Sequence, residues 1–174
     1  MRTFISIEIP EDIKREILKI QKELPEFRGK LTETDNLHLT LKFLGEINEK
    51  KAEEVRKKLR EIKFNKFDAE IDSIGVFSEK FVRIVWLHVS NCEELQKEID
   101  EKLSELFEKE KRFMGHLTIA RVKSVKNKKE FLEKISQIKI SEMKFVVKNF
   151  NLKKSILTEE KPFYEDIEAY NLEI

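Results

Sequence analysis

Cysteine occurs once in this 174-residue chain, as Cys92. A single thiol permits no internal disulfide and no zinc-finger spacing, so a reducing, intracellular and cytoplasmic setting is expected. Net charge is nearly absent too, since 35 basic residues against 34 acidic ones leave +1. Any contact with nucleic acid must therefore come from a local basic patch, because the field of the whole chain is weak. No apolar run approaches the ~20 residues that a membrane helix requires, so no membrane partner is expected. The opening MRTFISIEIP holds a short run, but Glu8, Glu11 and Asp12 interrupt it before a secretory core could form. Neither G-x-x-x-x-G-K-S/T nor G-x-G-x-x-G occurs, which leaves dependence on a nucleoside triphosphate without support. H-E-x-x-H is missing as well, and no metal ligands are expected. Glycine is scarce (four residues) beside abundant Lys, Glu and Ile, a composition that points to a heat-adapted source.

What is present is 40% hydrophobic residue, with thirteen phenylalanines, enough for a substantial core in one domain or two small lobes. TFISIEI (3–9) alternates as a strand, with Ile5, Ile7 and Ile9 on one face. Pro10 then opens a helix whose first turn holds Glu11 and Asp12, and whose apolar side is Ile13, Ile17, Leu18 and Ile20. Asn48 is placed to cap a helix over about 49–62, followed by a strand near 67–77. VRIVWLHV (82–89) reads as a strand, and Ser90 with Glu93 as a capping box for a helix reaching about 108. A Lys-rich helix (about 127–136) and strands near 143–157 and 163–173 complete the chain. Strand, helix, strand, helix, strand thus occurs twice. Two α+β lobes facing each other across a pseudo-two-fold axis are expected, roughly 1–78 and 79–174 of a single bilobal domain, with exchange of strands between them allowed.

Of only three histidines, two lie in identical triplets at equivalent places: His-Leu-Thr at 38–40 and again at 116–118. In a strand, residues i and i+2 share a face. Leu39 and Leu41 then enter one core while His38 and Thr40 project from the other side; Leu117, Ile119, His116 and Thr118 repeat the arrangement. If the lobes face each other, two imidazoles and two hydroxyls converge on one cleft. Hydrolysis of a phosphodiester needs a base for water and an acid for the departing oxygen, and an unperturbed imidazole pKa of ~6.5 lets one copy serve each role. Each proton transfer typically contributes about 10²–10⁴-fold. The threonine hydroxyls can donate to non-bridging phosphate oxygens. The scheme requires no metal and no cofactor. A packing histidine is the ordinary alternative for each motif taken alone; packing has no need of an exposed His-Thr pair on both.

HLTLKFLG (38–45) and HLTIAR (116–121) resemble the two signatures of the 2H phosphoesterases, named for paired His-x-Thr/Ser motifs. Within that superfamily the chain looks most like the RNA 2′,3′-cyclic phosphodiesterases, also called 2′-5′ RNA ligases, over essentially its full length. The resemblance implies an α+β fold of two antiparallel-sheet lobes with helices outside and the motifs lining a central cleft. It implies hydrolysis of a terminal 2′,3′-cyclic phosphate on RNA, tRNA fragments included, to a 2′-phosphomonoester, with reversible 2′-5′ joining of some ends by a monomeric enzyme. Carried over by position, His38 is the general acid at the leaving 3′ oxygen and His116 the base that activates water, while Thr40 and Thr118 hold the phosphate. Phe43 and Arg121, each five residues after a motif histidine, match positions used near substrate, for base stacking and phosphate contact respectively. An offset of five puts them on the wrong strand face unless a bulge re-aims them, so a place in the core is the alternative for Phe43, while Arg121 is harder to bury. Lys42 has the parity to face the cleft and attract RNA phosphates. The rival readings are the same site acting on a small cyclic nucleotide, and a non-catalytic RNA-binding protein. His88, Trp86 and Cys92 are expected to be structural, and Lys126, Lys128 and Lys129 an ordinary solvated face.

Overall fold

The computed structural model describes all residues, 1–174. In chain order the elements are β1 (Arg2–Glu8), α1 (Glu11–Lys22), β2 (Arg28–Leu31), a 3₁₀ turn (Thr34–Asn36), β3 (His38–Glu46), α2 (Glu49–Arg60), β4 (Phe67–Val76) and β5 (Ile84–Ser90). Then follow α3 (Glu93–Lys102), β6 (His116–Ser124), α4 (Lys128–Gln137), β7 (Met143–Val147), β8 (Asn149–Leu157) and β9 (Pro162–Asn171). They form a mixed α+β fold with two antiparallel sheets, one of order β3-β1-β8-β9 and one of order β2-β6-β5-β4-β7.

A cut at residue 78 does not separate these sheets. β8 and β9, from the second half, complete the sheet begun by β1 and β3, while β2 and β4, from the first half, join the other. The apolar run near 143–157 is where the chain changes sheets: Phe145 and Val147 are buried in one, Phe150 and Leu152 in the other, with Lys148 between them. The helices cross as well. α1 packs beside β6, and α3 beside β3. One continuous apolar cluster runs from Ile5, Leu39 and Leu152 of the first sheet to Val85, Leu117 and Ile119 of the second.

Local signals explain most helix boundaries. The Asn48 side chain accepts from the Lys51 amide (2.8 Å) to start α2, and Asn127 accepts from Glu130 (3.0 Å) to start α4. α1 buries Ile13, Ile17 and Ile20, with Leu18 left exposed. The Gln21 side chain donates to the carbonyls of Thr32 and Ile119, both at 2.9 Å, which ties α1 to β6. The expected Ser90–Glu93 capping box does not form. Ser90 is the last residue of β5 and its hydroxyl donates to Glu70 across the sheet, while Asn91 turns the chain with φ 73° before the helix begins. α3 also stops at Lys102, short of 108, because the following segment folds back to bring the Glu108 carbonyl and the Glu110 amide onto Lys42 and Asp100.

Candidate active site

β3 and β6 bury their residues in the same order: His half-buried, Leu buried, Thr half-buried, then two buried residues in succession before an exposed one. The doubled burial marks a bulge in each strand. In β3, Ile5 of β1 pairs with Lys42 and Ser6 with Thr40, so Leu41 is extra. In β6, Val85 of β5 pairs with Ala120 and Trp86 with Thr118, so Ile119 is extra. One added residue reverses the side-chain parity beyond it. Arg121 and Phe43 are thereby returned to the face of the histidines, and Phe43 stands 67% exposed with its ring 6.3 Å from Phe4.

The same bulge overturns the expectation for Lys42. Its parity is read correctly only for an unbroken strand; past the extra Leu41 it turns inward and is 3% exposed. Its ammonium donates to Asp100 of α3 (2.6 Å) and to the Glu108 carbonyl (2.7 Å), so it serves the fold rather than the cleft.

Both motif histidines are anchored alike. Nδ1 of His38 donates to the Asn36 carbonyl (2.7 Å) and Nδ1 of His116 to the Met114 carbonyl (2.9 Å). A carbonyl can only accept, so Nδ1 carries the hydrogen and the neutral ring leaves Nε2 bare. An aromatic ring meets each imidazole edge-on: Tyr164 on His38 (5.0 Å between centroids, 81°) and Phe77 on His116 (4.9 Å, 88°). Gly115 lets β6 begin close against the end of β5. A Cβ there would lie 2.3 Å from the Val89 carbonyl oxygen and 2.6 Å from Cys92 Sγ.

His38, Thr40, His116, Thr118 and Arg121 all line one cleft of about 490 Å³. Lys42 and Phe43 are outside its lining; Phe43 belongs to the exposed strand surface beyond it. The remaining wall comes from β2 and the 3₁₀ turn (Lys30, Leu31, Thr32, Glu33, Asn36) and from the β8–β9 hairpin (Glu160, Lys161, Pro162, Tyr164). These two segments are tied across the cleft, Lys161 to Glu33 and the Asn36 amide to the Pro162 carbonyl (3.1 Å). None of these wall residues is signalled by the sequence, because β2 has four residues and no alternation to read. Behind His38, on the neighbouring strands, Lys153 is buried between Glu8 and Asp166. Burial, followed by the Lys153 and Arg121 charges, holds the His38 pKa below the ordinary imidazole value, against the raising effects of the Asn36 carbonyl and Glu8.

Three residues expected to be structural have distinct fates. Cys92 is fully buried and burial pushes its thiol up to about 12, which makes it inert. Trp86 is only half-buried and faces the cleft side, opposite Thr118. His88 pairs across the strands with His116, and its Nδ1 meets Asp72 at 2.7 Å. No group of three or more His, Cys, Asp or Glu side chains is arranged to hold a metal ion, and no helix is long and apolar enough to cross a membrane.

The architecture is shared with solved structures. A protein of Thermus thermophilus superposes with a TM-score of 0.82 at 23% identity, over 98% of this chain and 97% of that one. E. coli LigT in complex with 3′-AMP superposes at 0.81 and 22% identity, over 99% and 98%. The LigT like Phosphoesterase family pattern matches residues 7–86 and 89–164, one span for each motif. Among curated relatives, the RNA 2′,3′-cyclic phosphodiesterase of Methanocaldococcus jannaschii is 40% identical over 98% of this chain and 100% of its own length. That of Archaeoglobus fulgidus is 36% identical over 98% and 99%. The chain belongs to the LigT-like phosphoesterase family.

Proposed function

We propose that the protein hydrolyses the terminal 2′,3′-cyclic phosphate of RNA to a 2′-phosphomonoester. The observation that carries this reading is the pair of identically anchored imidazoles, each with its threonine on a bulged strand of the same cleft. Relatives that match nearly end to end bear the name RNA 2′,3′-cyclic phosphodiesterase, which supports the substrate class. In the reaction, His116 takes a proton from water through Nε2 as the water oxygen bonds to phosphorus. The bond from phosphorus to the 3′ oxygen breaks, and His38 delivers its proton to that oxygen. Thr40, Thr118 and Arg121 donate to the non-bridging oxygens, where negative charge accumulates. A 5′-hydroxyl in place of the water gives 2′-5′ joining, and its reversal exchanges the roles of the histidines.

The lowered pKa of His38 suits an acid, because a weakly held proton is readily surrendered to an alkoxide. It also means that the anionic substrate must charge His38 on binding, through attraction that a partly buried site strengthens.

The test is a short RNA ending in a 2′,3′-cyclic phosphate, incubated with enzyme in EDTA and resolved into 2′- and 3′-phosphate products. Turnover to the 2′-phosphate is expected, reduced about 10²–10⁴-fold in His38→Ala and in His116→Ala. Tight RNA binding without turnover would instead identify a binding protein.

A further inference from the structure

The walls of the cleft come from β2, β3, β6, the 3₁₀ turn and the β8–β9 hairpin, and β4 and β5 contribute none. β6 lies between β2 and β5 in its sheet, so His116 has the enclosed cleft on one side and the open face of β5 and β4 on the other. That second side carries an aromatic shelf. Phe77, one residue past β4, stands edge-on to His116 and is 55% exposed. It packs on Trp86 with 5.7 Å between ring centroids. Trp86 is the single tryptophan of the chain. It pairs with Gly75 of β4, where a Cβ would lie 2.6 Å from the indole, so bare backbone lets the ring settle against that strand. Its N–H is buried and finds no acceptor, so a hydrogen bond does not explain the residue. Packing against the imidazole accounts for Phe77. It does not account for a half-exposed indole whose ring partner is Phe77.

In an in-line displacement the nucleophile lies opposite the leaving oxygen. With His38 at the leaving 3′ oxygen, the nucleophile approaches from the His116 side, where the shelf begins. We infer that Phe77 and Trp86 hold the first base of an incoming RNA strand, whose 5′-hydroxyl takes the place of water in 2′-5′ joining. The inference rests on the cyclic-phosphate reading above and adds a second substrate to it: the terminal nucleotide occupies the enclosed cleft, and the acceptor nucleoside the shelf. The 5′-hydroxyl gives its proton to Nε2 of His116 as its oxygen bonds to phosphorus. The bond from phosphorus to the 3′ oxygen breaks, and that oxygen takes the proton of His38. A stacked acceptor holds its hydroxyl in place against competing water. Stacking tolerates any base, so the acceptor is selected by its 5′ end rather than by its sequence.

Tryptophan fluorescence reads the shelf without turnover. A dinucleotide with a free 5′-hydroxyl and no terminal phosphate should quench Trp86 saturably, and an analogue lacking its 5′ base should not. The quenching should persist with a nucleoside 2′-phosphate filling the cleft, and weaken in Phe77→Leu. In turnover, the same dinucleotide is offered as acceptor to a nucleoside 2′,3′-cyclic phosphate, and 2′-5′ joined product is measured against 2′-phosphate. Trp86→Leu should lower that ratio about five- to thirtyfold, and Trp86→Phe should restore most of it. Hydrolysis without joining in the wild type, absent quenching, or an unchanged ratio in Trp86→Leu overturns the acceptor site alone. Displacement of the dinucleotide by nucleoside 2′-phosphate assigns the rings to the base of the terminal nucleotide and overturns it as well. Saturable, base-dependent quenching with no turnover of the cyclic phosphate overturns the catalytic reading and keeps the shelf as an RNA site.

Discussion

His38 has a charged group behind it, Glu8 with Lys153 and Asp166, whereas His116 has a second imidazole beside it, His88, held by Asp72. The consequence for His38 is measurable. With its pKa lowered chiefly by burial, it is neutral in the empty cleft near pH 7, and a bound phosphate must return its proton. Binding of a 2′-phosphorylated nucleotide should therefore take up a proton, and affinity should fall as pH rises above the lowered pKa of the free His38 imidazole. Calorimetry in two buffers of different ionisation heat reads this directly, and His38→Gln should abolish the difference. Equal heats in both buffers for the wild type would refute it. The hydroxyls give a second prediction. Thr118→Val should lower kcat by about 10²-fold with little change in KM, and Thr118→Ser should recover most of it.

At the scale of elements, the bulges decide what each strand can present. The triplets themselves were legible in the sequence, because parity within three residues survives any irregularity further on. Lys42 and Arg121 were not both legible, since a bulge has no composition that distinguishes Leu41 or Ile119 from any other buried residue. Lys42 now joins β3 to α3. Burial pushes the Asp100 carboxyl up, but Lys42, the Glu110 amide and Gln96 outweigh it and hold it below the usual carboxylate range. Lys42→Ala leaves Asp100 buried without its cation and should cost about 3–5 kcal/mol in urea unfolding, much of it recovered by the double change Lys42→Met with Asp100→Leu. A second clamp joins α2 to β9. Arg60, and with it Tyr170 and Arg56, outweighs burial to hold the Glu168 carboxyl down at about 2, well under its usual 4.5. A depressed carboxyl stabilises the fold fully above its unfolded value and loses that contribution as pH falls from about 4.5 toward 2. The melting temperature should drop across that interval in the wild type and more gently in Glu168→Gln.

Across the whole molecule, the two motif strands share burial order and bulge position, and strands are exchanged between the two halves of the chain. Periodicity reported Met143–Leu157 as strand and could not report that Lys148 divides it between two sheets, because both halves are equally apolar and strand partners lie far apart in sequence. The prediction at this scale follows from the exchange. Fragments 1–78 and 79–174, expressed singly, each lack strands that the other supplies, so neither should unfold cooperatively, while mixing them should restore a thermal transition. Failure of the mixture while both fragments show sharp transitions alone would contradict this topology.

The exchange also sets a timetable. β1 and β3 are synthesised early, yet the strand that pairs with the other side of β1 is β8, which begins roughly a hundred residues after β3 ends. At ~5–20 residues per second, that edge waits about 5–20 seconds on the ribosome before its partner is made. During that interval Phe4 and Ser6 present an unpaired strand to any neighbouring nascent chain, and Tyr164 and Lys153 have not yet reached His38. The cleft is therefore among the last parts of the protein to come into being, and a chain interrupted before β9 carries both motifs without the site.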